Sequence, residues 1–365
     1  MALAFVPFTR DLEDAAREFN RRMREKNAPT DFLLPTDATH KRSSSPAIQW
    51  QQYVVVDGDQ IRGGVLEMNQ PGWLNGRELR AVNFQSPLSE GIADGQNVMV
   101  GMQMVKFMQK RSEAVFIVGM GSPNNPLPRL LKAAGWTVNE VPFFFRVHRP
   151  RAFFRELRPL HSTRARSFAA KLAAISGVGG VGLSFKQRRK ARPDVSLTSE
   201  SSWGNWADRV WENIRSNCTF AVRRDRETLT ALYDPTDKRI SIFQAKHNGS
   251  TVGWAVCQDT QMKDNRYFGN LRVASIIDCV AEPDKMAATA TAVDDEMRSR
   301  GTDLILVNHS HASWIEAFRS AGFLPGPSNY LVGMSKSLGA ALQSIEGGVQ
   351  RVHITRGDGD GRLHL

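Results

Sequence analysis

Cysteine is scarce: this chain of 365 residues has three, Cys218, Cys257 and Cys279. They are odd in number, widely spaced and without a CxxC pair. That excludes a disulfide framework and a thiolate zinc site and fits a reducing compartment. Long apolar runs are missing too. The longest, Leu172 to Phe185, has 14 residues and contains four glycines, short of the roughly 20 that a bilayer core requires. Met1 to Arg10 lacks a basic region followed by an apolar core, so no secretory signal is expected and the expected compartment is the cytoplasm. Acids are nearly absent from one stretch: between Arg149 and Arg192 twelve Lys or Arg face a single carboxylate, Glu156. That segment carries an excess equal to the whole chain's +11, and the remainder is close to neutral. The charge therefore belongs to one segment rather than to a basic binding face.

What is present is ordinary for a globular protein, with 41% hydrophobic and 23% charged residues. The length suggests two domains. Leu12, Ala15, Ala16, Phe19 and Met23 recur at three- and four-residue spacing, which predicts an amphipathic helix over 11–24. A hairpin follows over 53–68 with Asp57-Gly58 in the turn, then a strand at 80–85, a helix at 101–111, a strand at 114–118, a helix at 127–134 stopped by Gly135, and a strand at 141–147. After residue 200 the same order returns. A Trp-rich helix over 203–214 precedes a hairpin through Asn248-Gly249, a strand at 271–280, a helix at 286–300, a strand at 304–307, a helix at 314–320 before Gly322, and a strand at 330–334.

This repetition is near-constant in spacing. Leu130 to Trp136 (LLKAAGW) lies over Ala317 to Phe323 (AFRSAGF), and Phe143 to Val147 (FFFRV) over Tyr330 to Met334 (YLVGM), both 187 residues apart, while Gly63 and Gly253 are 190 apart. Two copies of one mixed α/β unit are expected. The expected boundaries are 1–150 for the first, 151–200 for a basic linker, 201–338 for the second and 339–365 for a tail.

The order of elements, with Ala-Gly-aromatic after the last helix, resembles the GNAT acyltransferase fold. Doubled in a chain of this length, it is similar to FemAB-like transferases and to GNAT-type proteins of bacterial envelope and exopolysaccharide clusters. The carrying segments are Ser86 to Gly91 (SPLSEG), Gly119 to Trp136 and Val141 to Val147 (VPFFFRV). The resemblance implies an α/β (α+β) fold of two domains, each a mixed, mostly antiparallel sheet flanked by helices. It also implies acetyl-CoA or another acyl-CoA as co-substrate, with no metal.

In that family the loop from the fourth strand into the next helix holds the pyrophosphate through backbone N–H groups, which needs small residues and an unpaired helix start. The first domain has Ser89, Gly91 and Gly95 there, without the family spacing; the second has no glycine and carries Pro283. A capped turn made by Ser89 or Asp94 explains the first loop equally well. The family also places an Asn for the pantetheine arm seven residues before a Tyr that protonates the leaving thiolate. Asn124 matches, but Leu131 stands where the Tyr belongs, and the second domain has His311 and Phe318 at the two places.

The candidate general base of the first domain is Glu90, beside the cofactor loop; otherwise it serves a helix start, worth ~0.3–1 kcal/mol. In the second domain Asp278 and Glu282 follow one strand, and His309 and His311 follow the next. Together they could gather into a cleft for acid–base work, or each could be a locally satisfied polar group. Two His at i, i+2 with distant carboxylates lack metal-ligand spacing. Trp203, Trp206 and Trp211 share a helical side and read as core. The segment 149–192 interleaves Phe153, Phe154, Leu157, Leu160 and Phe168 with cations, a pattern suited either to an anionic membrane surface at the inner face or to a solvated linker. Arg356 to Arg362 (RGDGDGR) reads as a turn or flexible tail. Three functions are carried forward: acyl transfer to an envelope sugar or lipid-linked acceptor, FemAB-like transfer from aminoacyl-tRNA, and a binding protein that kept the fold and lost the chemistry.

Overall fold

Two mixed sheets organise the chain in the computed structural model, which describes residues 3–28, 33–38, 45–93, 95–161, 182, 187–189, 194–328 and 330–359. In chain order the first elements are β1 (Ala4–Pro7), α1 (Glu13–Glu25), β2 (Gln49–Asp57), β3 (Gln60–Leu74), β4 (Arg77–Ser89), α2 (Val98–Gln109), β5 (Ala114–Met120), α3 (Pro126–Ala133) and β6 (Thr137–Glu140). Then come β7 (Phe143–Val147), α4 (Pro150–Glu156), β8 (Ser196–Glu200), α5 (Asn205–Ile214), β9 (Phe220–Val222), α6 (Arg226–Leu232), β10 (Ile240–His247), β11 (Ser250–Gln261) and β12 (Arg272–Ala281). The last are α7 (Met286–Ser299), β13 (Leu304–Asn308), α8 (Ala312–Ser320), β14 (Leu324–Gly326), β15 (Tyr330–Met334), α9 (Lys336–Gln343) and β16 (Val352–His353).

Local sequence explains these elements. Ala16, Phe19 and Met23 on α1 are buried against Phe8, Val54, Ile61 and Leu88, so the helix exists to cover one face of its sheet. Asn75-Gly76 and Asn248-Gly249 hold positive φ at both positions, 46° and 85°, then 48° and 81°, the conformation that a tight hairpin turn demands. On the opposite face of the first sheet, Val100, Met104, Val105 and Met108 of α2 and Leu131 of α3 pack on Val55, Val65, Val82, Phe84, Val115 and Ile117. In the second sheet α7 and α8 do the same, through Ala290, Val293, Met297, Trp314 and Phe318 over Ala255, Ala274, Ile276 and Ile305.

The two compact units differ from the expected contiguous halves. One consists of 1–140, 219–223 and 329–349, the other of 141–218, 224–328 and 350–365. The first sheet runs β1-β2-β3-β4-β5-β15-β6 with β9 on the end of β3, and the second runs β8-β10-β11-β12-β13-β7-β14. Within each, neighbours are antiparallel except one parallel pair, β4 with β5 and β12 with β13. The strand that closes the first sheet is thus β15, and the strand that closes the second is β7.

Charge explains the assignment. Arg146 on β7 pairs with the buried Asp294 of α7 at 2.6 Å and donates to the carbonyls of Ala321, Gly322 and Gln187; His148 meets Asp294 at 2.7 Å. Helix α2 of the first unit contains no acid, so β7 in that sheet would bury a guanidinium without a partner. The apolar β15, YLVGM, makes no such demand.

Candidate functional site

In each unit the sheet opens where its parallel pair ends. The parallel pairing runs from Ala81/Ala114 to Phe84/Ile117 in the first unit and from Val273/Leu304 to Ile276/Val307 in the second, and then stops. Beyond it both strands continue apart, which creates a crevice at their carboxyl ends, the usual ligand place of an open α/β sheet. Both outgoing strands also bulge there. Ser86 and Pro87 of β4 together oppose the single residue Val65, with Ser86 at φ 46°, and Ile277 is extra in β12. A bulge bends its strand and re-aims its groups. Gly63 and Gly253 sit beneath the bulged strands because a Cβ there would strike the carbonyls of Leu88 and Val280.

In the first unit the β4–α2 loop is built of short turns. Ser89 Oγ accepts from Gly91 N–H at 3.2 Å, so this amide is already satisfied. A Cβ at Gly91 would lie 2.5 Å from the Asn97 carbonyl, whereas one at Gly95 would meet no atom within 4 Å. Gly91 is therefore a packing glycine, and Gly95 stands beside open space. Helix α2 starts after Asn97 with no side-chain cap. Across the crevice Gly119, Met120 and Gly121 hold positive φ of 99°, 54° and 68°, and Gly119 likewise faces open space. Asn124 lies exposed in the following loop, its N–H donating to Ser122 Oγ.

Glu90 is 1% exposed and accepts from Arg22 at 3.2 Å, Lys26 at 3.1 Å and Arg62 at 3.0 Å. Burial works against its ionisation, but Arg62, Lys26 and Arg22 outweigh it and hold its pKa below the ordinary carboxylate value. A general base needs the opposite. The geometry makes Glu90 an anchor that ties the loop to α1 and β3. Leu131 and Phe318, at the two expected phenol positions, are both fully buried.

The second unit gathers three of its four candidates, and seals them. Asp278 (1% exposed) accepts from Arg224 Nε at 3.0 Å, Tyr233 at 2.9 Å and its neighbour's N–H at Cys279 at 2.9 Å. His353 stands 3.7 Å from Asp278 and edge-on to His309, ring centroids 4.5 Å apart; His311 is 6.4 Å from His353. Arg224 also donates to Asp358 at 2.8 Å. Burial opposes ionisation of Asp278, but Arg224, His353 and Tyr233 hold its pKa down to about 2. Burial, with Arg224 nearby, lowers His353 to about 3, and burial lowers His309 well below its usual value. Asp358 is raised by burial and by the charge of Asp278, against the pull of Arg224.

His311 caps α8, its Nδ1 accepting from Ser313 N–H, while Nε2 contacts the Asn217 carbonyl. Glu282 is half-buried, its backbone N–H on Val252, and no described contact joins it to the other three. Arg224, Tyr233 and His353 were not singled out from the sequence. The signal for Arg224 is a cation at the end of an apolar strand, which requires buried acids elsewhere. Among the described residues no group of three or more His, Cys, Asp or Glu could hold a metal ion.

The segment expected to be a linker is in part structural. Phe153 packs with Val147, Met262, Leu271 and Leu306, with Phe154 against the same cluster. Arg149 pairs with Asp303, Arg155 with Glu156, and Arg189 with Asp294 and Asp295. Residues 162–181, 183–186 and 190–193, which carry much of the basic run, lie outside the described residues. No helix among the described residues is long and apolar enough to cross a membrane.

No model of a known protein family matches the chain, and a search of curated proteins finds no match. Solved structures do resemble it. A GCN5-related N-acetyltransferase from Anabaena variabilis matches with a TM-score of 0.53 at 8% identity, over 91% of this chain and 72% of that one. A conserved protein of unknown function from Enterococcus faecalis V583, described as a probable N-acyltransferase, matches with a TM-score of 0.50 at 10% identity, over 94% and 74%. The fold is two GNAT-like domains in tandem. At these identities the likeness is one of fold.

Proposed function

We propose that the chain is an acyltransferase whose donor, an acyl-CoA, is held by the first unit and whose acceptor is an amino or hydroxyl group of an envelope sugar or lipid-linked precursor. The observation that carries this is the contrast between the two crevices. Ser86, Pro87, Ser89, Gly119 and Met120 of the first are half-buried, with open space at Gly95 and Gly119, whereas Ile276 to Ala281 of the second are all buried. The bound donor supplies an activated thioester. Residues of the chain position it: the turn Gly95–Asn97 that leads into α2 brings the favourable end of the helix dipole to phosphate, Gly95 lets the backbone approach, and Asn124 is within the adjoining loop.

Glu90 acts in this reading as a positioning residue, and the phenol position of the first unit is held by the buried Leu131. The rate enhancement is then mainly that of holding acceptor and thioester in line, a contribution of up to ~7–11 kcal/mol. Asp278 and His311 are committed to internal contacts, which favours the first unit over the second as the place of reaction. Release of free thiol from acetyl-CoA and longer acyl-CoAs, with amino sugars as acceptors, tests the proposal. No acceptor-dependent release with any donor sinks it.

Segment 149–192 supports approach to an anionic membrane, or to tRNA in a FemAB-like reaction, only through cations that internal acids do not hold. Sedimentation with anionic vesicles at low salt, against a tRNA gel shift, separates the two.

A further inference from the structure

The second unit's crevice is filled by the chain's own C-terminal segment. Val352, His353, Ile354 and Thr355 are each 2% exposed or less, so both faces of this stretch are covered. It lies along the continuation of β13, past the point where that strand leaves β12. His309 and Thr355 form an antiparallel bridge; Ser310 N–H donates to the Ile354 carbonyl at 3.0 Å; Ser310 Oγ donates to the Val352 carbonyl at 2.5 Å and accepts from Ile354 N–H at 2.8 Å. The backbone groups that the diverging strand exposes are thus satisfied by peptide.

A tight turn then presses the segment onto β12. Thr355 and Asp358 cap each other, with Thr355 N–H on Asp358 Oδ2 at 2.8 Å and Gly357 N–H on Thr355 Oγ1 at 3.2 Å. Gly357 lies so close to Tyr233 and Asp278 that any Cβ would overlap the phenol oxygen. Asp358 reaches Arg224, the same guanidinium that holds Asp278.

We propose that the crevice of the second unit is a strand-binding groove occupied in cis by residues 352–358, so that this unit takes no acyl-CoA and each chain binds a single one. The register, the turn and the shared guanidinium fit this segment specifically, and the groove that serves a soluble donor in one copy serves a peptide in the other. The count of one donor per chain rests on the first-unit site proposed above; occupation of the groove does not.

The full-length protein tests both parts separately. Hydrogen exchange is followed over 350–359 with and without saturating coenzyme A, and calorimetry counts bound coenzyme A. The amides of Ile354, Thr355 and Asp358 should exchange as slowly as those of β12, at least 100-fold slower than exposed chain, and coenzyme A should leave them unchanged. Ser310→Ala should speed exchange at Ile354 at least 10-fold. Exchange at exposed rates in the unaltered protein, loss of protection when coenzyme A is added, or two molecules bound per chain overturns the proposal. Protection together with no bound coenzyme A upholds the filled groove and refutes the donor site of the first unit.

Discussion

The two units share a ladder and differ in what lies past its end. In both, a parallel pair of four residues stops, the outgoing strand bulges and a buried glycine lies beneath the bulge. The first unit continues into short turns and an uncapped helix start; the second continues into a buried network of Arg224, Asp278, Asp358, Tyr233 and His353. Repeated backbone geometry therefore fixes where a ligand could go, and the side chains beyond it decide whether that place stays open. A fold likeness speaks to the first matter alone.

The largest difference between the units should appear on removing Arg224. Arg224→Met leaves Asp278 and Asp358 buried without their cation, which costs about 3–5 kcal/mol. Calorimetric unfolding should show that loss, and a change below about 1 kcal/mol would mean that the network does not hold the second unit together. Acid should act in the same place. His309 and His353 are folded in the neutral form with pKa values below the usual one, His353 at about 3. The unfolded chain therefore binds protons first, and stability present above about pH 6.5 falls as pH drops toward 3, at about 1.4 kcal/mol per pH unit for each proton. Asp278, with its folded value near 2, adds a further loss from about pH 4 downward. Asp358, held above its ordinary value, gains stability as pH falls and opposes this loss; in Asp358→Asn, where that gain is removed, a melting temperature flat from pH 7 to 4 would contradict the buried neutral imidazoles.

A smaller effect separates two neighbouring cations. Arg189 bonds both Asp294 and Asp295, while Arg188 is exposed. Arg189→Ser should cost about 1.5–3 kcal/mol and Arg188→Ser less than about 0.5 kcal/mol. On the charge pattern alone both would be spared, because an interleaved basic run looks like solvated surface. Equal melting temperatures for the two variants would return Arg189 to that role.

Much of the ladder was legible because each strand and helix carries its own period. The helix expected over 286–300 spans Met286–Ser299, and the strand expected over 330–334 spans Tyr330–Met334. The repeat at 187 residues gave the order of elements. It could not say which sheet each closing strand joins, since Phe143 to Val147 and Tyr330 to Met334 fit either by pattern. Arg146 was the clue: a lone cation in an aromatic strand needs an acid, and Asp294 in α7 supplies it where α2 has none.

The sealed network was harder to foresee. Arg224 lies 54 residues from Asp278 and 134 from Asp358, and no local rule links such distances. Arg356 to Arg362 read as a turn or a flexible tail because Gly and Asp alternate there; its described part forms a turn, and what the pattern did not show is that this turn is buried, with Gly357 required by contact. Residues 360–365 lie outside the described residues. Glu90 stood where a base was expected, and the three cations that reach it from 28 to 68 residues away turned it into an anchor.

The central claim is that the first crevice holds the donor and the second does not. Gly95→Val tests it most directly, because a Cβ there meets nothing in the protein itself and any loss must come from the approaching ligand. Titration calorimetry with coenzyme A should show affinity reduced at least 100-fold, at about 3 kcal/mol, with an unchanged melting temperature. Lys285→Val, in the corresponding loop of the second unit, should leave affinity as it was. Unaltered affinity in Gly95→Val, or its loss in Lys285→Val, would contradict the account.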